Sequence, residues 1–332
     1  MIEKMTMTDK MRMYKYSRIP LEMNTRPGDK ILIVADTDTP PSVLEALMTN
    51  AYQMNLDPAL TIISPRDYHQ ADPPPHLLSA MYAADLTILC TSKAMLHSPA
   101  CSKAMEEGRR FLAMEGLAPE LLIRGRCEED YPKMQKLAAA IRTIFTRGKR
   151  MKVTSEGGTN LVADIAGRPG YVAAGKADKQ KGVHLLAAAF PDGEVGIAPV
   201  EGSAEGTVVF DTTMHFFERL KSPITIQVKK GKAVDITGEQ ADELREILDK
   251  FGDEYSYVFP AEIALGLNSK GGVNGAIRTD KKLYGTVHMA FGMNSDVGGK
   301  TPGKLHLDGV IRYPELTVDN LVIASKGKVL VK

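Results

Sequence analysis

Over its first 150 residues the chain alternates short apolar runs with helical patterns. Residues 31–36 (ILIVAD) are an apolar run that ends in Asp36-Thr37-Asp38-Thr39 and two prolines. Residues 42–55 (SVLEALMTNAYQMN) follow, with Val43, Leu44, Leu47 and Met48 on one side of a helix. Residues 59–64 (ALTIIS) and 86–91 (LTILCT) repeat the strand pattern, residues 101–109 are helical, and residues 111–114 (FLAM) give a fourth strand. This alternation predicts an α/β fold: an N-terminal, Rossmann-like domain over 1–150, built on a parallel sheet flanked by helices. Ligands of such sheets sit beyond the carboxyl ends of the strands, where Asp36, Asp38 and the loop bearing His97 fall. A helix over 131–146 and the basic stretch Arg147-Gly148-Lys149-Arg150 read as the hinge into the second half. From residue 151 the texture changes to short β-like runs rich in glycine, among them NLVADIAG, LLAAAF, EVGIAPV, GTVVFDT and ITIQVKKGKAVDI. One clear helix, over 238–251, interrupts them. Residues 151–332 therefore read as a mainly antiparallel, β-rich α+β domain.

Two of the seven histidines lie in the stretch 284–308, which also holds the run Asp296-Val-Gly-Gly-Lys-Thr-Pro-Gly-Lys304. Gly298, Gly299, Pro302 and Gly303 predict a tight, specially shaped loop there. Residues 305–311 read as a strand, which turns His306 and Asp308 to the same face. An imidazole and a carboxylate aimed at one point suit a divalent metal ion.

Composition narrows the partners. Net charge is +1, which gives no electrostatic case for nucleic acid or an anionic membrane. No apolar run approaches the roughly 20 residues that span a bilayer. The N-terminal 18 residues lack the apolar core of a signal peptide and read as an amphipathic helix. Cys90, Cys101 and Cys127 are scattered and odd in number, which fits a reduced, cytoplasmic setting. No GxGxxG follows the first strand, so no dinucleotide cofactor is expected.

Two further carboxylates stand out in apolar surroundings. Glu194 opens an apolar strand after the turn Pro191-Asp192-Gly193, and Glu262 sits in the run Ala261-Glu-Ile-Ala-Leu-Gly266. A carboxylate is costly to bury unless paired, protonated or bound to a cation. Counted with His288, His306 and Asp308, they suffice for two oxygen- and nitrogen-ligated ions with open positions.

These residues carry a resemblance. The segments PDGEVGIAPVEGSAEGTVVFD, AEIALGLN, YGTVHMAFG and KLHLDG, preceded by Gly158-Thr-Asn-Leu161 and Ala166-Gly-Arg168, resemble the thermophilic aminopeptidase T/S family of metallopeptidases. That resemblance implies a dinuclear site with Glu194, Glu262, His288, His306 and Asp308 as metal ligands. It also shows a departure, Ser295 where the family places a tyrosine. Along nearly its whole length the chain is similar to the 2,5-dihydroxypyridine dioxygenase family, an iron-dependent, ring-opening relative on the same scaffold. The shared features are Leu96-His97-Ser-Pro99, Ser203-Ala-Glu-Gly206, residues 294–299 and His306-Leu-Asp308. On that resemblance His97 acts as acid/base and His306 and Asp308 are iron ligands. Glu262 and Ala290 stand where that family has a histidine and a serine.

The expectation drawn from the sequence is a metal-dependent, aminopeptidase-like hydrolase of amide or peptide-like bonds. It would use zinc, cobalt or manganese, with two ions as an option, and His97 and Glu194 as catalytic groups. The alternative is an Fe(II) ring-cleaving dioxygenase whose facial set is His306, Asp308 and one of Glu262 or His288. A small molecule or short peptide is the expected substrate, and the relatives imply a homodimer.

Overall fold

A computed structural model describes residues 5–123 and 125–331. Contacts divide the chain into two units. The first comprises Met1–Glu129, Gly175–Asp178 and Leu186–Asp192; the second comprises Asp130–Ala174, Lys179–Leu185 and Gly193–Lys332.

In the first unit five parallel strands lie in the order Asp57–Ile63, Lys30–Asp36, Leu86–Leu89, Phe111–Ala113 and Ala187–Ala189. Leu86–Leu89 and Phe111–Ala113 are buried throughout, the pattern of strands covered on both faces by crossover helices. The helix Met7–Asn24 starts at a capping box, in which Thr6 and Asp9 satisfy each other's backbone N–H groups. It lies within and beyond the amphipathic helix expected over residues 1–18, of which 1–4 fall outside the described residues. The last strand differs from expectation. LLAAAF reads as part of the β-rich half, yet Ala187–Ala189 pairs in parallel with Phe111–Ala113. Hydrogen bonds from Phe111 N–H to the Leu186 carbonyl (3.1 Å) and from Phe190 N–H to the Ala113 carbonyl (3.0 Å) flank it. A short run of small apolar residues carries no period that distinguishes the two settings.

The loop after Leu86–Leu89 is held firmly. The Asp36 carboxylate accepts from Ser92 N–H and Oγ, both at 2.7 Å. Glu115 accepts from Met95 and Leu96 N–H, and Gln70 Oε1 accepts from His97 N–H at 2.9 Å.

The second unit holds an eight-stranded and a seven-stranded sheet, antiparallel throughout. The seven-stranded sheet runs Glu218–Arg219, Thr213–Met214, His306–Ile311, Val287–Gly292, Ile263–Gly266, Glu194–Ile197, Gly170–Ala173. Its central strands are buried along their full length. The helix Tyr131–Arg147, read from sequence as a hinge, packs Met134, Ala138, Ile141 and Phe145 inward and lies against Gly170–Ala173 and Glu194–Ile197. It therefore belongs to the core of this unit. Phe259 packs tilted against Phe291 with centroids 4.5 Å apart and meets Phe210 edge-on at 5.9 Å.

Phe291 is fully buried in that cluster. Phe291→Ala should therefore cost about 3–5 kcal/mol, read as a shift in the chemical-unfolding midpoint of the second unit. A loss below about 1 kcal/mol would show that the ring is not packed as described.

Candidate metal centre

Register and the two-residue period of a strand assemble the site. In the seven-stranded sheet Ala290 lies opposite Asp308, Gly292 opposite His306, and Ala264 opposite His288. Gly266 lies opposite Glu194, and Gly196 opposite both Ala264 and Tyr171. Directly opposed residues share a face, and so do residues two apart. Tyr171, Glu194, His288, His306 and Asp308 therefore project from one face, and Glu262, the residue before Ile263–Gly266, joins them. Gly196, Ala264 and Ala290 are interleaved, so the polar side chains have room to converge. Gly196 is required: a Cβ there would come within 2.5 Å of the Tyr171 Oη.

All of these side chains are buried. His288 Nε2 lies 3.2 Å from Glu262 Oε1 and 3.4 Å from Glu194 Oε2. His306 Nε2 lies 3.3 Å from Glu262 Oε1 and 3.2 Å from Asp308 Oδ1. The structure thus brings together every sequence-proposed metal ligand in the second unit. His97 belongs to the first unit, half-buried in its loop.

Four neighbours escaped the sequence reading. Lys281 Nζ lies 2.6 Å from Asp308 Oδ2, and Lys282 Nζ 2.6 Å from Glu194 Oε2. Both follow the short helix Ile277–Asp280, whose buried Asp280 carboxylate accepts from Asn274 and Gly275 N–H. His215 Nδ1 accepts from Asp308 N–H at 2.9 Å, which fixes the strand at the ligand itself. Two adjacent lysines after a turn carry the pattern of a solvated face, and only tertiary structure buries them. Tyr171 likewise has no motif of its own; its phenol donates to Glu262 Oε2 at 2.9 Å.

Electrostatics binds the group together. Burial alone would raise the pKa of Glu262, but His306 and His288 hold it well below the usual carboxylate range. Burial is likewise outweighed at Asp308, by Lys281 and His306. For His306 burial opposes the charge, and Glu262 and Asp308 overcome it, so its imidazolium is favoured while no cation is bound. Burial, with Glu194 and Glu262 nearby, raises the Tyr171 phenol, which therefore stays protonated as a donor.

The donor set fits a divalent ion. Glu262, His288 and Asp308 each offer an atom within 4.8 Å of the others. Two donors about 2.1 Å from one ion stand about 3.0 Å apart at a right angle and about 3.4 Å apart at the tetrahedral angle. The 3.2–3.4 Å separations among these residues match that range. Both ring nitrogens of His288, together with Asp308 Oδ1, are buried and make no well-directed hydrogen bond among the described residues. Such orphaned polar atoms need an account, and a shared cation supplies one. His306 Nδ1 sits 2.8 Å from the Met293 carbonyl, which fixes the tautomer with the Nε2 lone pair facing the cluster.

The glycine-rich loop lies beside this set and is tied by Asn294. Asn294 Oδ1 accepts from Thr301 N–H, and its Nδ2 donates to the Ala261 carbonyl, next to Glu262. Arg168 is paired with Glu201 and donates to the Gly298 carbonyl, so it braces the loop.

A metal-binding face on an antiparallel sheet, in a chain that also carries a parallel α/β unit, defines the class. Comparison with known proteins then gives the family. The model of the NicX 2,5-dihydroxypyridine 5,6-dioxygenase family matches residues 18–331, and the chain belongs to that family. It is 29% identical over 267 residues to the 2,5-dihydroxypyridine 5,6-dioxygenase of Pseudomonas putida strain KT2440, covering 76% of this chain and 72% of the relative. Among solved structures, 2,5-dihydroxypyridine dioxygenase from P. putida KT2440 superposes with a TM-score of 0.77 at 22% identity, over 97% of each chain. Wild-type AmpT from Thermus thermophilus gives 0.69 at 16% identity, over 97% of this chain and all of that one. Both share the fold.

The family match overturns the hydrolase expectation. An aminopeptidase or metalloprotease activity has only the fold of AmpT behind it, whereas the dioxygenase family spans nearly the whole chain. The chain is an enzyme by family. Among the described residues no helix is long and apolar enough to cross a membrane.

Tyr171→Phe removes the donor to Glu262 Oε2 and should weaken Mn(II) binding about 10- to 100-fold, read by calorimetric titration of metal-free protein. Unchanged affinity in a folded variant would show that the phenol does not support the ligand.

Proposed function

We propose that the chain is a ring-cleaving dioxygenase acting on a small hydroxylated nitrogen heteroaromatic of the dihydroxypyridine kind. In this reading Glu262, His288, His306 and Asp308 hold an iron(II) ion. The observation that carries the reading is the family match over residues 18–331. The donor chemistry supports it: two imidazoles with carboxylate oxygens are the ligand types of non-haem iron oxygenases.

The chain departs from the expected dioxygenase ligands in two places. Ala290 offers no donor atom, and His288, two residues earlier on the same strand face, does. Glu262 replaces a histidine, so the set holds two carboxylates and two imidazoles.

When bound, the ion supplies the one-electron chemistry through which dioxygen reacts with an aromatic ring. The protein's own groups prepare that chemistry. Tyr171 orients Glu262 from behind, the Met293 carbonyl orients His306, and His215 braces the Asp308 backbone. Glu194, expected from sequence as a ligand and catalytic group, faces both the Lys282 ammonium and His288 Nε2. His97 remains the acid/base candidate of this reading. Its loop backbone is held by Gln70, Glu115 and Asp36. The substrate is a small molecule, and the protein works in the cytoplasm as a homodimer on this proposal.

Protein loaded anaerobically with Fe(II) should consume one dioxygen per 2,5-dihydroxypyridine, measured by an oxygen electrode alongside loss of ring absorbance. His306→Ala should abolish uptake. Metal-loaded protein that leaves dihydroxypyridines and dioxygen untouched would overturn the reading.

A further inference from the structure

We propose that His69 is a positioning residue for the loop that carries His97: its neutral imidazole, acting with Gln70, holds the loop closed, and protonation of that imidazole releases it. Its bearing on the reaction rests on reading His97 as the acid/base. The clamp itself rests only on hydrogen bonds within the first unit.

Residues 90–98 connect the strand Leu86–Leu89 to the helix Pro99–Glu106 and form neither helix nor strand. Without ladder partners, their backbone N–H groups turn to side chains. Asp36, at the end of Lys30–Asp36, accepts from Ser92 N–H at 2.7 Å. Glu115, just beyond Phe111–Ala113, accepts from Met95 and Leu96 N–H at 2.5 and 3.0 Å. A third set of ties comes from residues 69–72, which follow the strand Asp57–Ile63. His69 Nδ1 accepts from Ala94 N–H at 3.2 Å, while Gln70 N–H donates to the Ala94 carbonyl at 2.6 Å. Gln70 Oε1 accepts from His97 N–H at 2.9 Å, and Asp72 Oδ1 accepts from Ala100 N–H at 2.8 Å in the first turn of the helix. Both backbone polar groups of Ala94 are thus held by adjacent residues, three positions before His97.

Gln70 is buried and has φ +71°, a conformation that residues with a side chain rarely adopt. Such a backbone persists only where its surroundings over-determine it, and the bonds to Ala94 and His97 do so here. Residues 69–72 are shaped to meet the loop.

His69 differs from the other acceptors. Asp36, Glu115, Asp72 and Gln70 accept through oxygen. An imidazole accepts at Nδ1 only while its proton sits on Nε2, and the imidazolium donates at both nitrogens. Burial pushes the His69 imidazole down to about 4, and the Lys93 ammonium adds to the effect. Lys93 and His97 stand on the loop itself; Asp36 and Glu115 face it from strand ends, and Asp72 from the clamping segment. In an opened loop His69 returns to its ordinary value of 6.5. A proton therefore favours the open form, and closure weakens as pH falls from about 6.5 toward 4.

The test is amide hydrogen exchange of the full-length protein, read by mass spectrometry on peptides covering residues 90–100, with peptides of the second unit as reference. After correction for the intrinsic pH dependence of exchange, loop protection in wild type should fall roughly 20-fold between pH 7 and pH 5, relative to the reference. His69→Asn puts an amide oxygen in place of Nδ1 and does not titrate; it should keep wild-type protection at pH 7 and hold it at pH 5. His69→Ala removes the acceptor and should exchange as an open loop at both pH values. In the oxygen-uptake assay at pH 7, His69→Ala should lower kcat with little change in KM for 2,5-dihydroxypyridine, and His69→Asn should restore it. His69→Asn carries the test even where His69→Ala does not fold. The same pH dependence in wild type and His69→Asn, or full loop protection in folded His69→Ala, overturns the proposal. Exchange that follows these expectations in a protein that consumes no dioxygen supports the clamp and overturns only the dioxygenase reading.

Discussion

Everything around the metal-site face answers to the cost of holding charge away from water. Glu194, Glu262 and Asp308 are all nearly or fully buried, and each buried ion carries a penalty of several kcal/mol unless a partner compensates it. The structure answers with imidazoles on the inner side and with Lys281, Lys282 and Tyr171 on the outer side. Those outer groups oblige the chain to bury two lysines, which in turn requires the loop that Asp280 folds. The convergence also dictates small residues between the ligands. Gly196, Ala264 and Ala290 are not incidental filler; a larger side chain on that face would occupy the space where the charged groups meet.

Much of this was legible in the sequence, for identifiable reasons. His306 and Asp308 could be placed on one face because a strand of period two needs only a short, apolar, β-branched run to be recognised. Glu194 and Glu262 were visible as carboxylates in apolar runs, where burial demands compensation. The compensating groups were not. Lys281 and Lys282 follow a turn, as solvated lysines do, and Tyr171 lies in an unremarkable strand. Their role depends on sheet register between segments far apart in the chain, which no local pattern encodes. The helix Tyr131–Arg147 failed as a hinge for a similar reason: its amphipathic face announces packing but not the partner.

The reaction was harder to read than the site. Imidazoles and carboxylates on this scaffold suit hydrolytic and oxidative chemistry alike, and the ligand types are common to both resemblances. Counting ligands favoured two ions and a hydrolase. Family membership over residues 18–331 favours the oxygenase side.

The strand Ala187–Ala189 has a consequence for how the chain comes into being. The parallel sheet of the first unit acquires its last strand only after the helix Tyr131–Arg147 and the strands Arg150–Thr154, Asn160–Asp164 and Gly170–Ala173 have been made. During synthesis the edge at Phe111–Ala113 stays unpaired over that interval, exposing backbone groups that a parallel neighbour must later satisfy. The sheet of the first unit thus awaits its final member, and its completion is timed by the growth of the polypeptide beyond Glu129.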